Sequence, residues 1–268
     1  MSLYPFAGAH AVQSVAFAFE WMQPLSEDDF GRVLALQHKL LAALPNVARH
    51  PALTLNMAGG VPTTAQGTGS VVFSRPPSSG AAAPSRVLEI SRDKCVGQIN
   101  EYTRWKPVWE EVLGWFKSVA PAIVETHPVK HIGLQYNDVF YWRATPETLD
   151  LRTVFRTESP LLPSHVFDLK DLWHSHHGYF VKQNEPREHR LLENVNVNLM
   201  DELGQRSILI STMHRAEFAT PLFSTEDLFP VMTELIPVLH SRNKDALGNL
   251  LAEDVARSIK LFAEEDRR

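Results

Sequence analysis

The sequence predicts an α+β protein in which antiparallel sheets are packed by helices. Apolar residues alternate with small or polar ones over several short stretches, the period of a half-buried strand. Three segments, near 26–44, 104–120 and 244–264, instead repeat their apolar residues at the three-and-four spacing of a helix. Between the strand candidates stand Gly- and Pro-rich turns. The chain is expected to form an N-terminal α+β half, 1–125, and a C-terminal one, 126–268, either as two similar halves or as one compact domain.

The first strand candidate carries Val15, Phe17, Phe19 and Trp21 on one face. Ser26-Glu27-Asp28-Asp29 then supplies a cap and first-turn carboxylates for a helix bearing Phe30, Val33, Leu34, Leu40, Leu41 and Leu44, with Pro45 at its end. Leu53 to Met57, Ser70 to Ser74 and Arg86 to Ser91 read as a meander separated by Gly59-Gly60 and Pro76-Pro77-Ser78-Ser79-Gly80. Composition makes Pro76 to Ser85 a mobile loop, with a buried functional lid as the alternative. A further strand is expected at Val96 to Asn100, then a helix from about Tyr102 to Ala120 whose stripe of Trp105, Trp109, Val112, Phe116 and Val119 reads as core, with a ligand wall as the alternative. Lys130 to Trp142 is a strong strand whose alternation slips near Asn137-Asp138, the mark of a bulge or bend. In the last third, Asn194 to Leu199 and Ser207 to His214 form a strand pair joined through Asp201-Glu202-Leu203-Gly204. Ser224-Thr225-Glu226-Asp227 caps a helix that Pro237 should kink or end. A final helix, Lys244 to Glu265, aligns Leu247, Leu250, Leu251, Val255, Ile259 and Phe262.

With 268 residues, of which 44% are hydrophobic and 21% charged, the chain can bury a substantial core. Its net charge of −5 argues against a broad, sequence-independent grip on nucleic acid, leaving a local basic patch open. The single cysteine, Cys95, cannot form an intramolecular disulfide, and the N-terminus lacks the basic start and apolar run of a signal peptide. A cytoplasmic location is expected. Every apolar run is too short to cross a bilayer as a helix of roughly 20 residues, so no membrane role is expected.

Tyr102-Thr103-Arg104-Trp105 opening a helix, His131-Ile132-Gly133-Leu134-Gln135-Tyr136-Asn137 in a strand, and Leu239-His240 ahead of a terminal amphipathic helix together resemble a sporadically distributed, uncharacterised bacterial protein family. The resemblance spans most of the chain. That family more usually carries an arginine where Gln135 stands and an extra apolar residue before the asparagine. The resemblance implies an α+β fold with antiparallel sheet and carries over no catalytic residue.

The one constellation that invites chemistry is Trp173-His174-Ser175-His176-His177-Gly178-Tyr179. Neutral imidazoles bind transition metals, and histidine serves as a general base near neutral pH. His174 and His176 are the metal candidates, with Asp168 or Asp171 to complete a set, and all three histidines are catalytic candidates. On a strand, however, His177 would point away from the other two; a solvated loop or a cross-strand pair is the plainer reading. Asn194, Asn196 and Asn198 form a second candidate row, able to read bases or a peptide edge, or simply to wet the outer face of a sheet that buries Val195, Val197 and Leu199. Arg187 and Arg190, with Arg143, Arg152, Arg156, Lys170 and Lys182, could gather into an anion patch, though acidic residues between them favour a mixed surface. Phosphate loops, dinucleotide fingerprints and nucleophile elbows are absent from the sequence.

Two functional classes follow. The favoured one is a non-enzymatic binding or scaffold subunit of a bacterial cytoplasmic system, such as a phage-defence or mobile-element-associated complex, with a protein partner or homo-oligomer and no cofactor. The other is a histidine-dependent, metal-assisted hydrolase or RNA-processing enzyme built on His174, His176 and His177.

Overall fold

The computed structural model describes residues 2–58, 61–78, 80–202 and 204–262. Its elements in chain order are β1 (Leu3–Pro5), β2 (Val12–Trp21), α1 (Glu27–Ala35), α2 (Gln37–Leu40), β3 (Asn46–Ala58), β4 (Val61–Arg75), β5 (Arg86–Ser91) and β6 (Lys94–Ile99). They continue with α3 (Trp105–Val119), β7 (Val129–Trp142), β8 (Trp173–Gln183), β9 (His189–Glu202), β10 (Gln205–Leu222), α4 (Thr225–Leu250) and α5 (Glu253–Ser258). Antiparallel sheet packed by helices makes this an α+β fold. Among the described residues, no helix is long and apolar enough to cross a membrane. The chain divides into two compact units, each assembled from separated stretches: 16–132 with 218–232, and 1–15 with 133–217 and the stretch from 233 onward.

In the 16–132 unit the strands run in the order β3-β4-β5-β6-β2. The first four form an antiparallel meander, with β3 and β4 longer than alternation alone suggested. The register shifts between His50 and Pro51, since proline has no N–H to give the ladder and a bulge accommodates the loss. Gly59-Gly60 lies outside the described residues. Phe17 and Phe19 of β2 pack on α3, with Phe17 stacked on Trp109 at 5.4 Å and Phe19 edge-on to Phe116 at 5.1 Å. The aromatic stripe is therefore core. At Gly97 of β6 an added Cβ would lie 2.6 Å from Val112, so this close helix–sheet approach requires glycine.

The helix expected over 26–44 is broken. α1 begins with a capping box between Ser26 and Asp29 but stops before Leu36, and only α2 follows. In the Pro76–Ser85 stretch, of which Ser79 lies outside the described residues, the Asn100 amide donates to the Pro84 carbonyl at 2.7 Å and the Ser78 N–H donates to Glu101 at 2.9 Å.

The 133–217 unit orders its strands β7-β10-β9-β8, with β1 antiparallel on β7. Along β7 the side chains of Ile132, Leu134, Tyr136, Asp138 and Phe140 are all buried, so the parity holds through Asn137-Asp138. The slip read from the sequence is a carboxyl at an inward position, not a bulge. Pro237 does not end its helix, because α4 runs on to Leu250. Leu235, Ile236 and Leu239 around the proline are fully buried, and that packing offsets a penalty of about 3 kcal/mol. The final helix is shorter than expected: Leu251-Ala252 separates α4 from α5, Phe262 is exposed, and Glu265 lies outside the described residues.

Leu247, Leu250, Leu251, Val255 and Ile259 join Phe155, Trp173 and the inward residues of β9 in one apolar cluster. Leu250→Ala should cost about 2–5 kcal/mol by chemical denaturation. Val238→Ala, on the exposed side of α4, should stay within about 0.5 kcal/mol of the native protein. Removing the chain from Lys244 onward should lower the melting temperature sharply. An unchanged value would show that the cluster contributes little.

Candidate functional site

The β8–β9 hairpin decides where the candidate residues point. Its antiparallel register pairs His174 with Asn198, His176 with Asn196 and Gly178 with Asn194, on one face. The intervening pairs, Trp173 with Leu199, Ser175 with Val197, His177 with Val195 and Tyr179 with Glu193, take the opposite face. Val195, Val197 and Leu199 are buried there, so this is the covered side, and the asparagine row lies half-buried on the other face. The structure thus brings His174 and His176 together with all three asparagines and sends His177 to the other side of the sheet.

The open face carries other polar groups. Gln135 donates to the Ser211 hydroxyl at 3.3 Å, and Asn137 to Ser14 at 3.0 Å. Arg190 is held by Glu217 at 2.7 Å, with its guanidinium 4.6 Å from the centre of the Phe180 ring. Arg187 lies in the β8–β9 connection, its carbonyl 2.7 Å from His189 Nδ1. The remaining basic residues are dispersed: Arg152 pairs with Asp168 at 2.8 Å, Lys182 with Glu188 at 3.8 Å, and Arg156 donates to the Gly248 carbonyl at 2.9 Å. Asp171 caps its own turn by accepting from the Leu172 N–H. Among the described residues, no group of three or more His, Cys, Asp or Glu side chains is arranged to hold a metal ion.

The covered face holds a denser polar arrangement. Glu193, on the inward side of β9, bonds His214 Nδ1 of β10 through one carboxylate oxygen and Arg242 of α4 through the other, the latter at 2.8 Å. Burial works to raise this carboxyl, but the His214 bond and the charges of His214 and Arg242 outweigh it, and its pKa is held below the ordinary glutamate range. As an ionised carboxylate only accepts, His214 Nδ1 must carry the proton of that bond. Next along β10 and α4, Thr212 bonds Asn243, and Tyr136 of β7 meets His240 Nδ1 at 2.9 Å. His240 therefore has a packing and bonding role within the unit.

Beside Glu193 a cleft of about 300 Å³ opens between β8, β9 and α4, lined by His177, Tyr179, Glu193, Arg242, Asp245 and Asn249 among others. His177 and Tyr179 touch edge to face at 5.6 Å. Partial burial and the nearby Glu193 charge raise the Tyr179 hydroxyl above its usual pKa, against a smaller lowering from Arg242. Of the expected site residues only His177 reaches this cleft. Glu193, Arg242 and Tyr179 were not anticipated, yet part of the signal is legible. Glu193 interrupts the inward run Leu191, Val195, Val197, Leu199, and His214 interrupts Ile208, Ile210, Ala216.

Asp138 is a further inward polar residue. It is buried, its Oδ2 has no hydrogen-bond partner among the described residues, and burial pushes its carboxyl up to about 7. Its folded-state proton affinity exceeds that of the unfolded chain, so the stability linked to its proton is complete below the ordinary aspartate range and is lost as pH rises through about 7. Asp138→Asn should therefore gain on the native protein between about pH 5 and about pH 8, by about 3 kcal/mol, in urea unfolding at the two pH values. A difference independent of pH would contradict the buried carboxyl. Glu193 acts in the opposite sense, since its lowered pKa adds stability above the glutamate range that is lost on acidification. Glu193→Ala, leaving His214 and Arg242 uncompensated, should cost about 3–5 kcal/mol by the same measurement. The more exposed Arg242→Ala should cost clearly less.

Comparison with known proteins matches the chain to no family model and to no curated protein.

Proposed function

We propose that the chain is a non-enzymatic binding subunit that engages a protein partner through the edge of β8. The observation that carries this reading is the strand's setting. β8 ends the strand order of its sheet, so one side of its backbone is paired with β9 and the other faces outward. Along this strand of eleven residues the outward N–H and C=O groups, which pair with no strand among the described residues, are a template for another strand. Natural edges are usually blunted by charge, proline or brevity, and β8 has only Lys182 near one end. Tyr179 is 47% exposed and Phe180 58% exposed. They stand beside one another on opposite faces, the aromatic anchoring expected of an interface.

The histidine-dependent hydrolase reading has one observation in its favour, the position of His177 in the cleft beside Tyr179 and Glu193. Against it, Glu193 is committed to His214 and Arg242, and His174 and His176 lie on the other face. The polar open face fits a strand partner better than a duplex, because the chain is net acidic and its local arginines are paired.

Photocrosslinking in the native host tests the reading. Phe180→benzoylphenylalanine should give a discrete protein adduct that Val238→benzoylphenylalanine does not. Equal labelling at both positions would contradict it, as would phosphodiester or ester hydrolysis by the purified chain that is lost on replacing His174, His176 and His177 with alanine.

A further inference from the structure

We propose that the cleft beside Tyr179 receives a lysine or arginine side chain from an extended segment of the partner that pairs with β8. This rests on the edge reading above and adds the chemistry of the segment. A strand added to β8 would lie about 4.8 Å away and turn alternate side chains to the covered side. There His177 and Tyr179 form the lip of the cleft. Its volume of about 300 Å³ accommodates one long side chain and little more.

The charges select the occupant. Glu193 is engaged by both His214 and Arg242, the latter at 2.8 Å, which leaves Asp245 as the carboxylate of the lining without a partner among the described residues. Asp245 makes no hydrogen bond or ion pair among the described residues and is exposed at the rim. Its carboxylate can accept a guanidinium or ammonium, while the faces of Tyr179 and His177 can pack against the cation and its aliphatic stem. An anion would meet Asp245 with Arg242 already engaged. A second copy of this chain fits less well: the covered side of its own β8 offers Trp173, Ser175, His177, Tyr179 and Val181, none with an ammonium or guanidinium, and Lys182 takes the opposite parity.

The probe is the extended pentapeptide acetyl-Val-Thr-Arg-Thr-Val-amide, titrated into the isotope-labelled full chain beside analogues with citrulline or glutamate at the centre. The arginine peptide should shift amide resonances of β8 and of α4 near Asp245. Citrulline, isosteric but uncharged, should bind about tenfold more weakly, glutamate more weakly still, and Asp245→Asn should remove the preference for arginine. Equal binding of the arginine and citrulline peptides along β8 would overturn the basic-side-chain inference and leave the edge reading standing. Shifts confined to the cleft, with β8 amides unmoved, would support the cation site and overturn the edge. Absence of saturable shifts with every peptide would overturn both, and concentration-dependent dimerisation through β8 in their absence would assign the edge to a second copy.

Discussion

One carboxylate ties together three of the elements on the covered side of the 133–217 unit. Glu193 on β9 holds His214 on β10 with one oxygen and Arg242 on α4 with the other. Removing an ion from water is costly, so Glu193 can remain ionised there only because both oxygens are engaged. The two bonds in turn restrict how α4 lies across the sheet, since its guanidinium must meet a fixed acceptor. Thr212–Asn243 and Tyr136–His240 repeat that constraint along the same helix. Polar pairs fix the register of a helix that apolar packing alone would allow to slide.

The same arrangement shapes the candidate site. An unpaired Arg242 would make the cleft an anion trap; with Glu193 in place, the guanidinium is neutralised and Asp245 sets the local sign. His214, bonded to Glu193, is fully buried, while Tyr179 of β8 and Asp245 of α4 are exposed residues of the cleft lining. The clamp and the lining of the cleft therefore share Glu193 and Arg242. Asp138 differs in kind, because it is an inward carboxyl with an unpartnered oxygen that burial alone pushes toward neutrality.

Much of the architecture was legible in the chain because its elements obey local periodicities. Phe17, Phe19, Trp105, Trp109 and Phe116 announce a strand and a helix that bury the faces their spacing marks. The departures have local causes as well. Pro237 reads as a stop, but the tertiary burial of Leu235, Ile236 and Leu239 carries α4 through it. At Leu36 the first helix stops although apolar spacing continues, and only a single turn follows it.

By itself, the sequence determined the two faces of the strands it marked, and it divided His174 and His176 from His177 on the condition that they lie on a strand, because side chains alternate about an extended backbone whatever lies beyond it; that they do lie on one, β8, was decided by the structure. The sequence also placed Asn194, Asn196 and Asn198 outward by putting Val195, Val197 and Leu199 between them. What it could not determine was company. Glu193 meets His214 twenty-one residues on and Arg242 forty-nine residues on. Sequence periodicity is blind to such encounters, since they depend on strand order and on where a helix crosses the sheet. Tertiary structure alone turned an isolated glutamate on an apolar face into a shared anion, left β8 at an edge, and opened a cleft beside Tyr179.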